Sequence, residues 1–166
     1  TGHAGDWNYR ISSGFNQEAR WSREIAPGRV DLVYNDSNQN LGLRDADIDI
    51  RLTRNLGKDV KIGIGTGYTK LQRNFYGIGA FLDAVATAQV GDVTAFINSK
   101  HFNYRVFWNW LDAIAQPTTT YIGEPTFYTD VKANTVDNEL TYATELKHGI
   151  FSHDFHVGVG YRLKTI

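Results

Sequence analysis

The sequence has 166 residues, with 17 Lys plus Arg against 18 Asp plus Glu and no Cys. A net charge of −1 gives no general attraction to nucleic acid. The lack of Cys excludes disulfides, a thiol nucleophile and Cys-ligated metals. This length predicts a single domain over residues 1–166. No apolar run approaches the ~20 residues of a membrane helix, so a chain that spans a membrane would have to use β-strands.

The first predicted strand begins at Asp6. One parity of this stretch is apolar or aromatic at most positions: Trp7, Tyr9, Ile11, Ser13 and Phe15. Because side chains alternate between the two faces of a strand, one face of this strand is expected to meet lipid. A turn near Asn16 would make residues 6–25 a hairpin. Pro27-Gly28 then predicts a turn, and residues 35–40 predict a polar loop.

The clearest hairpin signal lies in residues 46–69. Apolar residues alternate with polar ones on both sides of a Gly-containing turn at 55–58. In the second half of the hairpin the polar parity is occupied by Gly63, Gly65 and Gly67. These glycines are expected to leave room for long side chains from neighbouring strands.

The middle of the chain predicts two further strands separated by a turn at 90–92. The first covers residues 76–90, where good helix formers leave a helix from Ala80 open as an alternative. The second covers residues 93–110, and its parity changes at Lys100-His101. A β-bulge there would explain the change of parity.

The last third predicts a long loop followed by shorter strands. Residues 111–126 contain two of the three prolines and predict the longest loop. Weak alternation at 127–131 and stronger alternation at 140–146 predict two strands with a turn at 134–137 between them. Residues 148–153 predict a loop that leads into the final strand.

The final predicted strand, residues 154–163, is apolar on one parity and polar or glycine on the other. Its segment Val157–Leu163 resembles the closing strand of small Gram-negative outer-membrane β-barrel proteins. The resemblance implies an all-β, antiparallel up-and-down transmembrane β-barrel in the bacterial outer membrane, in contact with its lipid and lipopolysaccharide. The predicted strands number eight to ten, and ten if residues 6–25 form a hairpin.

This architecture also predicts an orientation. If the last strand ends on the periplasmic side, four connections face outward: 36–40, 72–76, 111–126 and 148–153. Four turns then face the periplasm: 26–28, 55–58, 90–92 and 134–137. Longer connections would lie outside and tight turns inside, as is usual for outer-membrane barrels.

Charged residues of both signs share the inward parity. Eight of them are predicted to form a polar network in the lumen: Asp47, Asp49, Arg51, Lys61, Arg105, Glu139, Glu145 and Arg162. Buried charges must be paired and hydrogen-bonded, so such a network would fill a narrow barrel as a plug. A gated or selective conduit is the functional alternative. Aromatic residues near the strand ends predict girdles at the membrane interface.

The five histidines are candidates for catalytic or metal-binding groups. Ser152-His153-Asp154 suggests a hydrolase, but neighbouring residues on a strand point to opposite faces and cannot form a triad among themselves. His148 and His153 lack a ligand-like pattern, and solvated loop histidines are the favoured interpretation. The sequence therefore predicts no catalytic residue, no metal site and no cofactor.

Three functions remain open. The first is a non-enzymatic outer-membrane barrel that serves envelope structure, adhesion to a surface ligand or restricted passage of small solutes. The second is a soluble ligand-binding barrel, because Gly5-Asp6-Trp7 and Arg162 resemble the Gly-x-Trp start and the late Arg of lipocalins. The third is a lipid-modifying outer-membrane enzyme that depends on His101 or His153. None of the three predicts a nucleic-acid partner.

Overall fold

The computed structural model describes residues 1–19, 32–34, 41–75, 84–123, 125, 128–149 and 151–166. Within these residues the secondary structure is entirely β. The strands are β1 (Gly2–Ala4), β2 (Trp7–Ala19), β3 (Leu32–Tyr34), β4 (Leu41–Leu56), β5 (Val60–Phe75), β6 (Ala84–Asn98), β7 (Phe102–Pro117), β8 (Thr119–Tyr121), β9 (Thr129–His148) and β10 (Phe151–Thr165). In the described part of the chain, no helix is long and apolar enough to cross a membrane.

Eight of these strands form one sheet in the order β1-β2-β4-β5-β6-β7-β9-β10. Every neighbouring pair is antiparallel. The prediction of an all-β antiparallel fold built from successive strands is therefore confirmed. As described, the sheet is open, because β1 and β10 are its two edges and are not hydrogen-bonded to each other.

The first strand corrects the predicted hairpin at residues 6–25. β2 continues through Asn16 and pairs with β4 from Trp7 to Ala19, with one register shift between Glu18 and Ala19. The predicted turn near Asn16 is therefore wrong, and the main sheet has eight strands rather than ten. The alternation continues unbroken across Asn16, and pairing with β4 outweighs the local turn signal.

Three predicted interruptions in the middle of the chain are also wrong. β6 passes through residues 90–92, and β9 passes through 134–137, so neither segment is a turn. The proposed bulge at Lys100-His101 is the hairpin turn between β6 and β7, closed by a 2.7 Å hydrogen bond from the Ser99 amide to the Phe102 carbonyl. At 90–92 and 134–137, polar or glycine residues inside a long strand resemble a turn locally, whereas the register with neighbouring strands sets the strand length.

The predicted long loop at 111–126 is shorter than expected. β7 extends to Pro117, and β8 follows at Thr119–Tyr121. The helix alternative from Ala80 is wrong in its described part, because residues 84–90 belong to β6. The predicted turn at 26–28, the polar loop at 35–40 and the first part of the strand at 76–90 lie outside the described residues.

Short and long connections lie at opposite ends of the sheet. One end, here called the short-turn end, holds the turns at 57–59 and 99–101 and the β9–β10 connection. Gly57 and Gly149 have φ values of 73° and 61° in these turns, which glycine adopts without steric cost. The other end, the long-connection end, holds the connections that follow β2, β5 and β7. The predicted orientation is corrected, because it placed 55–58 and 148–153 at opposite ends.

A second, two-stranded sheet lies within the long connections. β3, from the β2–β4 connection, pairs with β8, from the β7–β9 connection. The most buried described side chains are Asn74 of β5, Val85 and Ala88 of β6, Thr118 between β7 and β8, and Thr120 of β8. The pairing ties two connections together that are separated by β5 and β6 in the main sheet.

Candidate functional site on the polar face

The register divides the main sheet into two faces of opposite character. One row of directly opposed residues across the sheet includes Arg10, Arg51, Gly65, Asp137 and Arg162, so these residues share one face. This face is here called the polar face. All eight residues of the predicted network lie on it by the same register. The alternation therefore assigned every one of them to the same side of the sheet.

The part of the polar face on β7, β9 and β10 carries two ion pairs between directly opposed residues. Arg105 Nη2 donates to Glu139 Oε2 at 2.8 Å. Arg162 Nε donates to Asp137 Oδ2 at 2.7 Å, and its Nη2 contacts the same oxygen. These four side chains line a cleft of about 300 Å³, here called the balanced cleft. Two of them are positively charged and two are negatively charged.

The part on β2 and β4 has a different arrangement. Arg10 and Arg51 are directly opposed, so two like charges face each other. Arg10 Nη2 instead donates to Asp49 Oδ1 at 2.7 Å, and Asp49 lies diagonally across the pair. This contact pairs Arg10 with a carboxylate. Within the described residues, Arg51 forms no ion pair.

Three residues of the predicted network have no ion pair. Within the described part of the chain, Asp47, Arg51 and Lys61 form no salt bridge. Arg51 and Lys61, together with Arg10, line a cleft of about 510 Å³, here called the cationic cleft. Its polar lining includes Asn8, Thr53 and His3, and no Asp or Glu is among the residues that line it.

The eighth member, Glu145, lies near the short-turn end. It forms an ion pair with Lys147 Nζ at 3.3 Å and accepts a hydrogen bond from Ser152 Oγ at 2.5 Å. It is directly opposed by Asp154, so Lys147 offsets part of the repulsion between two facing carboxylates. This cluster is separate from both clefts.

The glycines of β5 leave space as predicted. A Cβ atom at Gly63 would lie 2.4 Å from the Phe96 ring, and one at Gly67 would lie 2.6 Å from Asp92 Oδ1. Gly65 is opposed by Arg51, and a Cβ there would lie 3.7 Å from Arg51 Nε. The prediction of room for neighbouring side chains is confirmed.

The opposite side of the sheet, here called the apolar face, carries exposed large side chains. Ile11, Ile48, Ile50, Val157 and Val159 lie on it, with exposed fractions from 40% to 65%. Its apolar or aromatic stretches are Trp7–Phe15, Val60–Tyr68, Phe102–Trp110 and Phe155–Leu163, nine residues in each. On β9, between β7 and β10, Asn134 and Asn138 interrupt the apolar face.

A polar row ends the apolar face toward the long-connection end. The row consists of directly opposed residues on four adjacent strands: Lys70, Gln89, Asp112 and Lys132. On the same face, Tyr68 precedes Lys70 by two residues and Trp110 precedes Asp112 by two residues. Tyr68 Oη donates to Gln89 Oε1 at 2.8 Å. The Trp108 and Trp110 rings are 5.0 Å apart. Aromatic rings thus separate the apolar stretch from the charged row.

The structure keeps the histidine candidates apart. Ser152, His153 and Asp154 are successive residues of β10, so His153 lies on the face opposite to the other two. His101 Nδ1 lies 3.0 Å from the Ala143 carbonyl oxygen. Among the residues searched, no three His, Cys, Asp or Glu side chains come together to hold a metal.

The two lipocalin-like features also lie apart. Trp7 belongs to the apolar face, where the Arg54 guanidinium lies 5.3 Å from the ring centroid. Arg162 belongs to the polar face and pairs with Asp137. The resemblance to lipocalins therefore stays a prediction.

Two important residues were missed by the predicted network. Arg10 has the right parity in β2 but lies outside the hairpin at 46–69 that supplied half of the candidates. Asp137 was assigned to a turn, although the parity of Glu139 and Glu145 extends back to it without a break. Following that parity through 134–137 would have identified both Asp137 and its strand.

Compared with known proteins, the chain matches no protein-family model, no curated protein and no solved structure.

Proposed function

We propose that this chain is a non-enzymatic integral β-barrel protein of the bacterial outer membrane. Its polar face lines the lumen, and its apolar face meets outer-membrane lipid and lipopolysaccharide. Its long connections serve envelope structure, adhesion or restricted passage of small solutes. The observation that carries the proposal is the separation of the whole sheet into an exposed apolar face and a charged face with cross-strand ion pairs.

The length of the apolar stretches fits a membrane. A transmembrane β-strand needs about 9–11 residues when tilted. The stretches on β2, β5, β7 and β10 each span nine. An apolar surface this extensive on a protein in water would favour aggregation, whereas lipid covers it without cost.

The order of residues along the apolar face adds support. Tyr68 and Trp110 lie between the apolar stretch and the charged row that contains Lys70, Asp112 and Lys132. Aromatic rings prefer the membrane interface, and charged side chains prefer the water beyond it. This sequence of layers is the one expected at the edge of a bilayer.

The strand directions are compatible with closure. Six antiparallel steps separate β2 from β10, so these two strands run in the same direction. β1 is antiparallel to β2, and it therefore runs antiparallel to β10. Joining the two edges would give an antiparallel pair and an even strand number, as in bacterial outer-membrane barrels.

The proposal is tested with two neighbouring substitutions on β2. Ile11 is the central residue of its apolar stretch and is 59% exposed, and Ser12 is the next residue on the polar face. A Lys at the midplane of the lipid face costs about 2–4 kcal/mol, whereas a Lys in a wet lumen costs little. We expect Ile11→Lys to reduce assembly into phospholipid vesicles strongly, measured by heat-modifiable migration on gels, and Ser12→Lys to assemble like the parent.

Two results would count against the membrane proposal. Equal effects of the two substitutions would mean that the faces do not differ in their surroundings. A parent chain that stays monomeric and soluble without detergent, and does not float with vesicles, would favour a soluble ligand-binding barrel instead.

A further inference from the structure

The cationic cleft has no role in the membrane proposal, and its charge is unusual for this sheet. We propose that it is a binding site for a phosphate group. The site consists of Arg10, Arg51 and Lys61 with the polar side chains of Asn8 and Thr53. The side chains of this site belong to β2, β4 and β5, and His3 of β1 also lines the cleft.

The first argument is the uncompensated charge. Directly opposed like charges destabilise a pair of strands. Arg10 and Arg51 are opposed in this way, and only Arg10 has a carboxylate partner in the described part of the chain. Lys61 lines the same cleft and likewise has no ion pair there. A bound anion would remove the repulsion that this arrangement creates.

The second argument is the position of Arg51 over the neighbouring strand β5. Arg51 is opposed by Gly65 on β5, and a Cβ atom at Gly65 would already be in van der Waals contact with Arg51 Nε. The guanidinium thus lies close over the backbone of β5. Its planar fork suits bidentate contact with the oxygens of an oxyanion.

The third argument is the match between donors and ligand. A phosphate monoester carries a charge of about −1.5 to −2 at neutral pH and has three strong acceptor oxygens. Two guanidinium groups, one ammonium, one amide and one hydroxyl supply more donors than a single carboxylate could accept. The cleft of about 510 Å³ is open rather than enclosed, so it can admit a phosphate group that is free or carried by a larger solute.

The test is a titration of the full chain with inorganic phosphate at constant ionic strength, followed by ³¹P NMR. Arg51→Gln and Lys61→Gln each remove one charge from the cationic cleft. Arg105→Gln removes the same charge from the balanced cleft and serves as the matched control. Since one charge-assisted hydrogen bond is worth roughly a factor of ten or more in affinity, we expect each of the first two variants to weaken phosphate binding at least tenfold. The control should stay within about twofold of the parent, because Arg105 lies outside the cleft.

The outcomes separate this proposal from the membrane proposal. Equal weakening by all three variants would mean general attraction of phosphate to a charged face and would overturn the site. An absence of saturable binding in the parent would overturn it as well. If Arg51→Gln does not fold, as judged by tryptophan fluorescence, Lys61→Gln alone decides. None of these results depends on vesicle assembly, which tests the other proposal.

Discussion

The cationic cleft and the balanced cleft lie on the same face of the same sheet, but they differ in which charged residues are directly opposed. In the balanced cleft, Arg105 opposes Glu139 and Arg162 opposes Asp137. Each arginine therefore meets a carboxylate directly across the strand pair. In the cationic cleft, Arg10 opposes Arg51 and reaches diagonally to Asp49.

The difference shows that register decides the chemistry of a polar face as much as composition does. Both clefts contain two arginines, which lie on the neighbouring strands β2 and β4 in the cationic cleft and on either side of β9 in the balanced cleft. Opposite charges at directly opposed positions stabilise a sheet, whereas like charges there destabilise it. The balanced cleft thus has the character of a structural network, and the cationic cleft has the character of a binding site.

Two glycines on one row provide the most sensitive comparison between the two regions. Gly63 lies beside the cationic cleft under the Phe96 ring, and Gly160 lines the balanced cleft. A Cβ atom would approach the Phe96 ring to 2.4 Å at Gly63 but would find nothing closer than a backbone oxygen at 3.6 Å at Gly160. We expect Gly63→Ala to lower the free energy of unfolding by about 1–3 kcal/mol, because the ring must move.

Gly160→Ala is the control, and it should change stability by less than about 1 kcal/mol, since its site is open and Ala has less freedom to lose on folding. The measurement is urea unfolding followed by tryptophan fluorescence. Similar losses for both substitutions would mean that the Phe96 ring does not restrict Gly63.

A charge reversal tests whether the balanced cleft can be made to behave like the cationic one. Glu139→Lys removes the carboxylate that accepts from Arg105 and places a cation directly opposite it. Arg105 and Glu139 are about half exposed, so we expect a loss of only about 1 kcal/mol in the free energy of unfolding. The same variant should gain phosphate binding, which is best measured in an Arg51→Gln background.

Glu139→Gln separates the two effects, because it removes the ion pair without adding a charge. It should lose less stability than Glu139→Lys and gain less phosphate binding. If Glu139→Lys gained no phosphate binding at all, an excess of positive charge would not be sufficient to make a site on this face.

The faces of the sheet could be predicted from the sequence, but the strand ends could not. All eight predicted network residues lie on one face because the period of two survives along each strand. The turn predicted at 90–92 lies inside β6, where Gly91 leaves space for the Trp110 ring. That role depends on a residue of the neighbouring strand and has no local signal.

The charge pairing could not be predicted for the same reason. Parity assigns Arg51 and Arg105 to the polar face without indicating that Arg51 opposes Arg10 and Arg105 opposes Glu139. Those partners depend on which strands are neighbours and on their register. The candidate site was therefore predicted as a set of residues, but its division into two clefts required the structure.

The smallest expected effect comes from converting the cationic cleft into a balanced one. Arg51→Glu would replace two facing arginines with an opposite-charge pair at directly opposed positions. Cross-strand pairs of this kind are worth roughly 0.2–1 kcal/mol, so the unfolding midpoint in urea should rise slightly relative to the parent. Phosphate binding should be lost, since the new carboxylate would repel the ligand and occupy the Arg10 guanidinium. Arg51→Gln is the matched control, and its stability should fall between the other two. A parent more stable than Arg51→Glu would mean that the facing arginines do not repel each other, and the argument for an anion between them would then fail.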